Sequence, residues 1–189
     1  MKLDYALQKQ KERFYPLIEH PVQLELVRDN IRFKLVPAGR RSGKTERGKR
    51  LLAKTAMREE NRSFFAAAPT HGQARKIWWD DLKVMTGPAH SRPPSESDGI
   101  IYLLNGSQIH VFGLDKPERI EGQIWHGGLI DEFANIKAGA WEENIRPALS
   151  TVNPLDPEYR AWCWILGVPE GLNHYFDLYD KVKSEKPKD

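Results

Sequence analysis

The chain has 189 residues and a formal net charge of +3, from 29 Lys and Arg against 26 Asp and Glu; that suits one domain with a sizeable core, is short for two, and is too near neutrality to mark a nucleic-acid binder by charge alone. No apolar run reaches the roughly 18 to 20 residues of a membrane span, and the start, "MKLDYALQKQKERF", lacks the apolar stretch of a secretory signal. The one cysteine, Cys163, sits among large apolar residues in "YRAWCWILG", which excludes a disulfide framework or a cysteine zinc site and reads as a buried small hydrophobe.

In chain order, residues 1–20 form a Lys-, Glu- and Gln-rich helical segment, followed by a Pro-started helix in "IEHPVQLELVRDN" running up to Asn30. "IRFKLVP" is an apolar, β-prone run. "KTERGKRLLAKTAMREEN" is an amphipathic helix with Leu51 and Leu52 inward, Arg47, Arg50 and Lys54 outward, and Asn61 near its stop. "SFFAAAP" reads as a buried strand, and "THGQARKIWWDDLKVM" as a helix with Ile77, Trp78, Leu82 and Met85 at helical spacing. Residues 86–99, rich in Pro and Ser, are expected to be a flexible loop. Next, "GIIYLLNGSQIHVFG" places Asn-Gly between two β-prone runs, a hairpin signal. "HGGLIDEFAN" is an apolar run ending in two acids; a helix containing "GAWEENIRPALS", a strand in "RAWCWILGVP" and a last helical stretch in "EGLNHYFDLYDKV" follow, with 180–189 as a flexible tail. The alternation argues an α/β domain with a mostly parallel central sheet flanked by helices, carrying one antiparallel hairpin insertion.

Two pieces of this pattern carry chemistry. "GRRSGKT" follows a strand and opens a helix, the setting in which a Gly-rich turn cradles phosphates, although the usual GxxxxGK[ST] pattern would place Gly where this chain has Ala38. In that role Gly39 and Gly43 allow close backbone approach, Lys44 neutralises the β- and γ-phosphates, and the Thr45 hydroxyl ligates Mg²⁺. The second piece is "GGLIDE", where Asp131 would hold Mg²⁺ and Glu132 would polarise the attacking water. Either piece alone also fits a solvated basic turn or an ordinary acidic strand end. Together they point to a nucleotide site.

These residues resemble the large terminase subunits of tailed bacteriophages, the ATP-driven DNA-packaging motors. "AGRRSGKT" is similar to the Arg-rich phosphate loop found in that family, "AAAPTHGQARKIWW" to the segment after its second strand, "LIDEFAN" to its acidic motif, and "GVPEGLNHYFDLY" to its coupling motif. The resemblance runs from about Pro21 to Tyr179. It implies a P-loop NTPase fold of the additional-strand (ASCE) type, with residues 1–189 as a single ATPase domain and no C-terminal nuclease domain or nuclease activity in this chain. It implies Mg²⁺-dependent hydrolysis of ATP coupled to translocation of double-stranded DNA into a procapsid in the cytoplasm of the infected bacterial host. The implied partners are DNA, the portal protein, the small terminase subunit and other copies of the chain, in a pentameric ring on the procapsid and as a monomer free in solution.

The resemblance also assigns roles one residue at a time. Arg40 or Arg41 would contact the γ-phosphate, Ser42 would complete the loop, and Gln23 would read adenine, although a helix-surface glutamine fits as well. Gly171 and Asn173 would sense the γ-phosphate, while Tyr175, Phe176 and Tyr179 read as packing. Val168 stands where the family usually has Thr. The arginine that acts on a neighbouring subunit is usually placed where this chain has Glu121, which leaves Arg119, or Arg75, as the candidate. For DNA, the loop "HSRPPSESDG" and the basic helix after the phosphate loop are candidates for sequence-blind backbone contact. Three other readings share the phosphate loop: a two-lobed helicase-like ATPase, for which too few residues remain; a small-molecule kinase; and a nucleotide-binding assembly or regulatory module without turnover, against which Glu132 argues.

Overall fold

A computed structural model describes residues 21–184. Helix α1 (Pro21–Arg28) leads to β1 (Phe33–Pro37), α2 (Lys44–Arg58) and β2 (Ser63–Ala68). A helix then starts as α3 (His71–Ala74), passes through a π-helical turn at Arg75–Trp79 and continues as α4 (Asp80–Thr86). Strands β3 (Ile100–Tyr102), β4 (Gln108–Gly113) and β5 (Gly127–Ile130) follow, then a second π-helical turn (Trp141–Ile145) leading into α5 (Arg146–Ser150), β6 (Trp162–Gly167) and α6 (His174–Ser184). The six strands order as β1-β6-β5-β2-β4-β3, all neighbours parallel except the β3–β4 pair.

Parallel strands covered on both faces read as continuous apolar runs, and their residues divide by twos between two cores. Phe64 and Ala66 of β2 face one core with Leu52, Ala56, Trp78, Leu82 and Leu129; Phe65 and Ala67 face the other with Trp125, Ile130, Trp141, Ile165 and Tyr175. Helices α2, α3 and α4 therefore cover one face, and the second π turn, α5 and the start of α6 cover the other. Gly127 and Gly128 of β5 admit this packing, because a Cβ on either would run into the Trp162 or the Phe65 ring. On α2 the buried positions are Gly48, Leu52, Ala53, Thr55 and Ala56, a single stripe at helical spacing.

Several expectations are refined. The Asn105–Gly106 hairpin forms the one antiparallel strand pair among the described residues, and its second strand, β4, also pairs in parallel with β2, which joins the hairpin to the main sheet. The helix expected to reach Asn30 stops at Arg28, and the one expected to reach Asn61 stops at Arg58. In "RKIWW" the π turn adds a residue to the helical repeat, which lets the adjacent Trp78 and Trp79 both be buried. The indole of Trp78 donates to the Ala67 carbonyl at 3.0 Å, and that of Trp79 to Glu96 Oε2 at 2.7 Å.

Glu96 also pairs with Arg75 and, at 2.8 Å, with Lys83 Nζ. The hydrogen bonds from Lys83 and Arg75 hold its carboxyl down at about 2. The 86–99 stretch expected to be flexible is thus tied to the α3–α4 helix. Helix α6 carries residues 180–184 of the expected tail in a regular helix. The helical segment expected over 1–20 and the remainder of the tail lie outside the described residues.

The buried Lys34 on β1 anchors α1: its ammonium donates to the carbonyls of Leu26 at 2.6 Å and Asp29 at 2.9 Å, and pairs with Asp29 Oδ1 at 2.5 Å. That cation at the helix C-terminus satisfies two carbonyls left open there. It also fixes where α1 crosses β1, and with it the position of Gln23.

Candidate functional site

The site gathers at the carboxyl ends of β1, β5 and β6. Ala38 extends the β1–β6 pairing by one bond, its N–H donating to the Gly167 carbonyl at 3.1 Å. The chain then turns through Arg41 at φ 63° and Gly43 at φ 79° before α2 begins. Ala38 is not among the residues with positive φ. This explains structurally why alanine serves where the common pattern has glycine; the turn requires glycine only at Gly43.

No side chain caps the amino terminus of α2. Its first N–H groups, which have no intrahelical acceptor, and the positive end of the helix dipole are therefore presented together, a ready anion site. Lys44 and Thr45 occupy the first turn.

β5 ends at Ile130, and the next residue, Asp131, is buried, its N–H donating to the Ala67 carbonyl at 3.0 Å. Its two carboxylate oxygens have different partners: Oδ2 accepts from the Thr45 hydroxyl at 2.5 Å, and Oδ1 from the Glu132 N–H at 2.8 Å. Two residues separated by 86 positions thus meet oxygen to oxygen. Such a pair of hard oxygen donors suits Mg²⁺, which takes one or two protein ligands and fills its octahedron with phosphate oxygens and water. Glu132 follows with φ 56° and ψ 37°, the left-handed region. There its exposed carboxylate accepts a 3.4 Å contact from Asn135 Nδ2, its one hydrogen bond among the described residues.

Gln23 lies beside the loop. Its Nε2 donates to the Ser42 carbonyl at 2.8 Å, and its Oε1 accepts from Arg47 Nη2 at 3.4 Å. These residues line a cleft of about 600 Å³ between α1, β1 and the loop, with Val22, Leu26, Val36 and Lys44. Arg47, expected on the outer face of α2, instead points into this cleft, with its Nε buried and unpaired among the described residues. The amphipathic pattern of α2 assigned it outward because a charge is ordinarily placed in solvent. A cleft on that side leaves no trace in helical spacing.

The other expected residues are placed as follows. Arg40 is 4.0 Å from Glu170, on the loop after β6, and largely exposed; Arg41 is exposed. Arg119 lies after β4 and pairs with Asp115 at 3.5 Å. It belongs to the short turn Pro117–Ile120 in the connection from β4 to β5. Arg75 is committed to Glu96 and to the Trp79 ring. Asn173 does not turn toward the loop: its Oδ1 accepts from the N–H groups of Tyr175 and Phe176 at 3.1 and 3.2 Å, capping α6.

Two neighbours of the acidic pair were not expected. His174 Nε2 lies 3.1 Å from the Phe133 carbonyl, which joins the start of α6 to the segment just after Glu132. Tyr175 packs its ring on Phe133 and Gly167, with its hydroxyl buried and unpaired among the described residues. Burial first, and the nearby Asp131 charge second, push that hydroxyl well above the usual phenol range.

Residues 35–151 match the family described as "Terminase large subunit, T4likevirus-type, N-terminal". The large terminase subunit of Thermus virus P23-45 is 22% identical over 191 residues, covering 89% of this chain. The match covers 38% of that relative, so the chain spans well under half its length. Among solved structures, the ATPase domain of the Thermus phage P74-26 large terminase matches with a TM-score of 0.70 at 23% identity, over 89% of this chain and 72% of that one. The large terminase of a thermophilic bacteriophage in complex with ADP matches with a TM-score of 0.69 at 21% identity, over 88% of this chain and 44% of that one. At these identities the likeness is one of fold, and the fold is the α/β P-loop type.

Proposed function

Because this chain belongs to the T4likevirus-type large terminase subunit family, we propose that it is an ATPase motor domain that hydrolyses ATP to drive double-stranded DNA into a procapsid. The observation that carries the reading is the Thr45–Asp131 bond, which joins the phosphate loop to the acidic end of β5, one residue before Glu132. The α2 amino terminus and the Lys44 ammonium bind the β- and γ-phosphates, and Thr45 and Asp131 hold Mg²⁺. When bound, the metal neutralises charge that builds on the phosphate oxygens. Glu132 orients a water in line with the γ-phosphate and takes its proton.

Gln23 contacts the base from the cleft, and Arg40 or Arg41 the γ-phosphate from the loop. The bond between His174 and the Phe133 carbonyl gives α6 a direct mechanical link to the residue after Glu132. On this reading hydrolysis of ATP, and not cleavage of DNA, is the work of residues 21–184. Arg119, exposed in the β4–β5 connection, serves the site of a neighbouring copy in a ring, pentameric on the procapsid, whose partners are DNA, the portal and the small terminase subunit. Free in solution the chain is a monomer, and it acts in the cytoplasm of the infected host.

The test separates binding from turnover. Glu132→Ala should bind a slowly hydrolysed ATP analogue as wild type does, while single-turnover hydrolysis falls by about 100-fold or more. Unchanged hydrolysis in that variant removes Glu132 from the role and favours a binding module without turnover.

A further inference from the structure

We propose that Arg47 is a specificity-determining residue of the nucleotide site: with the Ser42 carbonyl it locks the Gln23 amide in one orientation, so that the site accepts adenine and rejects guanine. The inference rests on the reading of the loop as a nucleotide site with Gln23 at the base.

The lock follows from donor and acceptor chemistry. A backbone carbonyl can only accept and a guanidinium can only donate. With the Ser42 carbonyl 2.8 Å from one end of the amide and Arg47 Nη2 3.4 Å from the other, nitrogen must face Ser42 and oxygen must face Arg47. Turning the amide over would set its oxygen against the carbonyl and its NH₂ against the guanidinium, two repulsive contacts in place of two attractive ones. Arg47 makes no ion pair among the described residues, and its Nε is buried without a partner. The Gln23 oxygen is therefore the acceptor that orients the guanidinium.

The locked amide keeps capacity for a ligand. Nε2 has a second N–H and Oε1 a second lone pair. Adenine presents a donor at N6 and an acceptor at N7 on one edge, the complement of that remaining pair. Guanine presents acceptors at both O6 and N7, so its O6 would meet Oε1. Accommodating it would require the amide to flip, which Arg47 and Ser42 oppose. Gly43 reinforces the arrangement: a Cβ there would stand 3.2 Å from Gln23 Nε2, so the loop leaves the amide room to sit against Ser42.

Equilibrium binding of ATP and GTP to wild type, Arg47→Leu, Arg47→Lys and Lys44→Ala tests this. Wild type should prefer ATP by about tenfold or more, the scale of one good bidentate base contact. In Arg47→Leu, where the Ser42 carbonyl alone still holds the amide, the ATP-to-GTP ratio should fall about threefold or more, ATP weakening while GTP does not. Arg47→Lys still donates to the amide oxygen and should keep most of the preference. A ratio compares two ligands on the same folded protein, so partial unfolding of a variant does not move it. A wild type without preference, or an Arg47→Leu ratio equal to that of wild type, overturns the proposal. Lys44→Ala separates the two levels of failure. If it binds both nucleotides like wild type, the loop is not the site and the Arg47 role falls with it; if it loses both while Arg47→Leu keeps its ratio, the site stands and only the lock is refuted.

Discussion

Replacing Glu132 by glycine should make this protein more stable and inactive at once. Glu132 holds φ 56° and ψ 37°, a region that costs a residue with a Cβ about 1–2 kcal/mol. Glycine removes that cost, and loses about 0.4–1 kcal/mol through the greater freedom of the unfolded chain. The side chain itself contributes little, because its one polar contact is a 3.4 Å bond from Asn135 in an exposed position. The two ranges leave a net gain of up to about 1.6 kcal/mol, or a Tm rise of up to about 6 °C for a domain of this size. Thermal unfolding followed by circular dichroism should rank Glu132→Gly above Glu132→Ala, which keeps the Cβ. Both should lose turnover by about 100-fold or more. A glycine variant that melts below the alanine variant would show that the backbone here is not strained, and the idea that the fold stores strain to present this carboxylate would be wrong.

Other perturbations probe the frame around the site. Gly128→Ala puts a methyl into the Phe65 ring and should cost about 1–3 kcal/mol as overpacking; a Tm unchanged from wild type would mean that β5 is less tightly held than described. His110 is held down at about 4 by burial, against an ordinary 6.5. Between those values the unfolded chain takes up a proton that the folded one does not, so stability should fall as pH falls from 6.5 to 4. His110→Gln should lose less Tm over that range, and equal losses in the two proteins would contradict the assignment. Asn173→Ala should cost about 0.5–2 kcal/mol through the α6 cap, and Asn173→Asp should restore it. If Asp is as unstable as Ala, the cap is not what Asn173 supplies.

The parts of this molecule that were legible in the sequence are those set by local backbone rules. Asn105–Gly106 fixed a hairpin because tight turns need that pair. "GRRSGKT" marked a loop opening a helix, and the "LID" run put a carboxylate at the end of a buried strand. What was not legible depends on partners distant in the chain. That β4 pairs with β2 as well as β3 follows from sheet order, which no local pattern encodes. The π turn at Arg75–Trp79 accompanies the burial of two adjacent tryptophans in the core, which helical spacing alone does not anticipate. Glu96 sits in a polar, Pro-rich stretch that reads as unstructured, and only the fold shows Arg75, Lys83 and Trp79 converging on it.

The same limit applies inside the site. Asn173 could be matched to a motif, but the motif does not say that its amide is taken up by two N–H groups of α6. Arg47 has the residue type of the charged face of α2 yet turns into a cleft, because α1 crosses beside that face and offers it the Gln23 oxygen. In both cases the residue type was visible in advance and its direction was not.

The most direct test of the account is Mg²⁺-dependent ATP hydrolysis by the purified chain over a wide range of protein concentration, beside Lys44→Ala and Glu132→Ala. The account predicts a rate that rises more than linearly with protein, because neighbouring copies complete one another's sites, and that vanishes in both variants. Hydrolysis that persists in Lys44→Ala at the wild-type rate would contradict it, since the phosphates would then be bound somewhere other than the loop closed by Thr45 and Asp131.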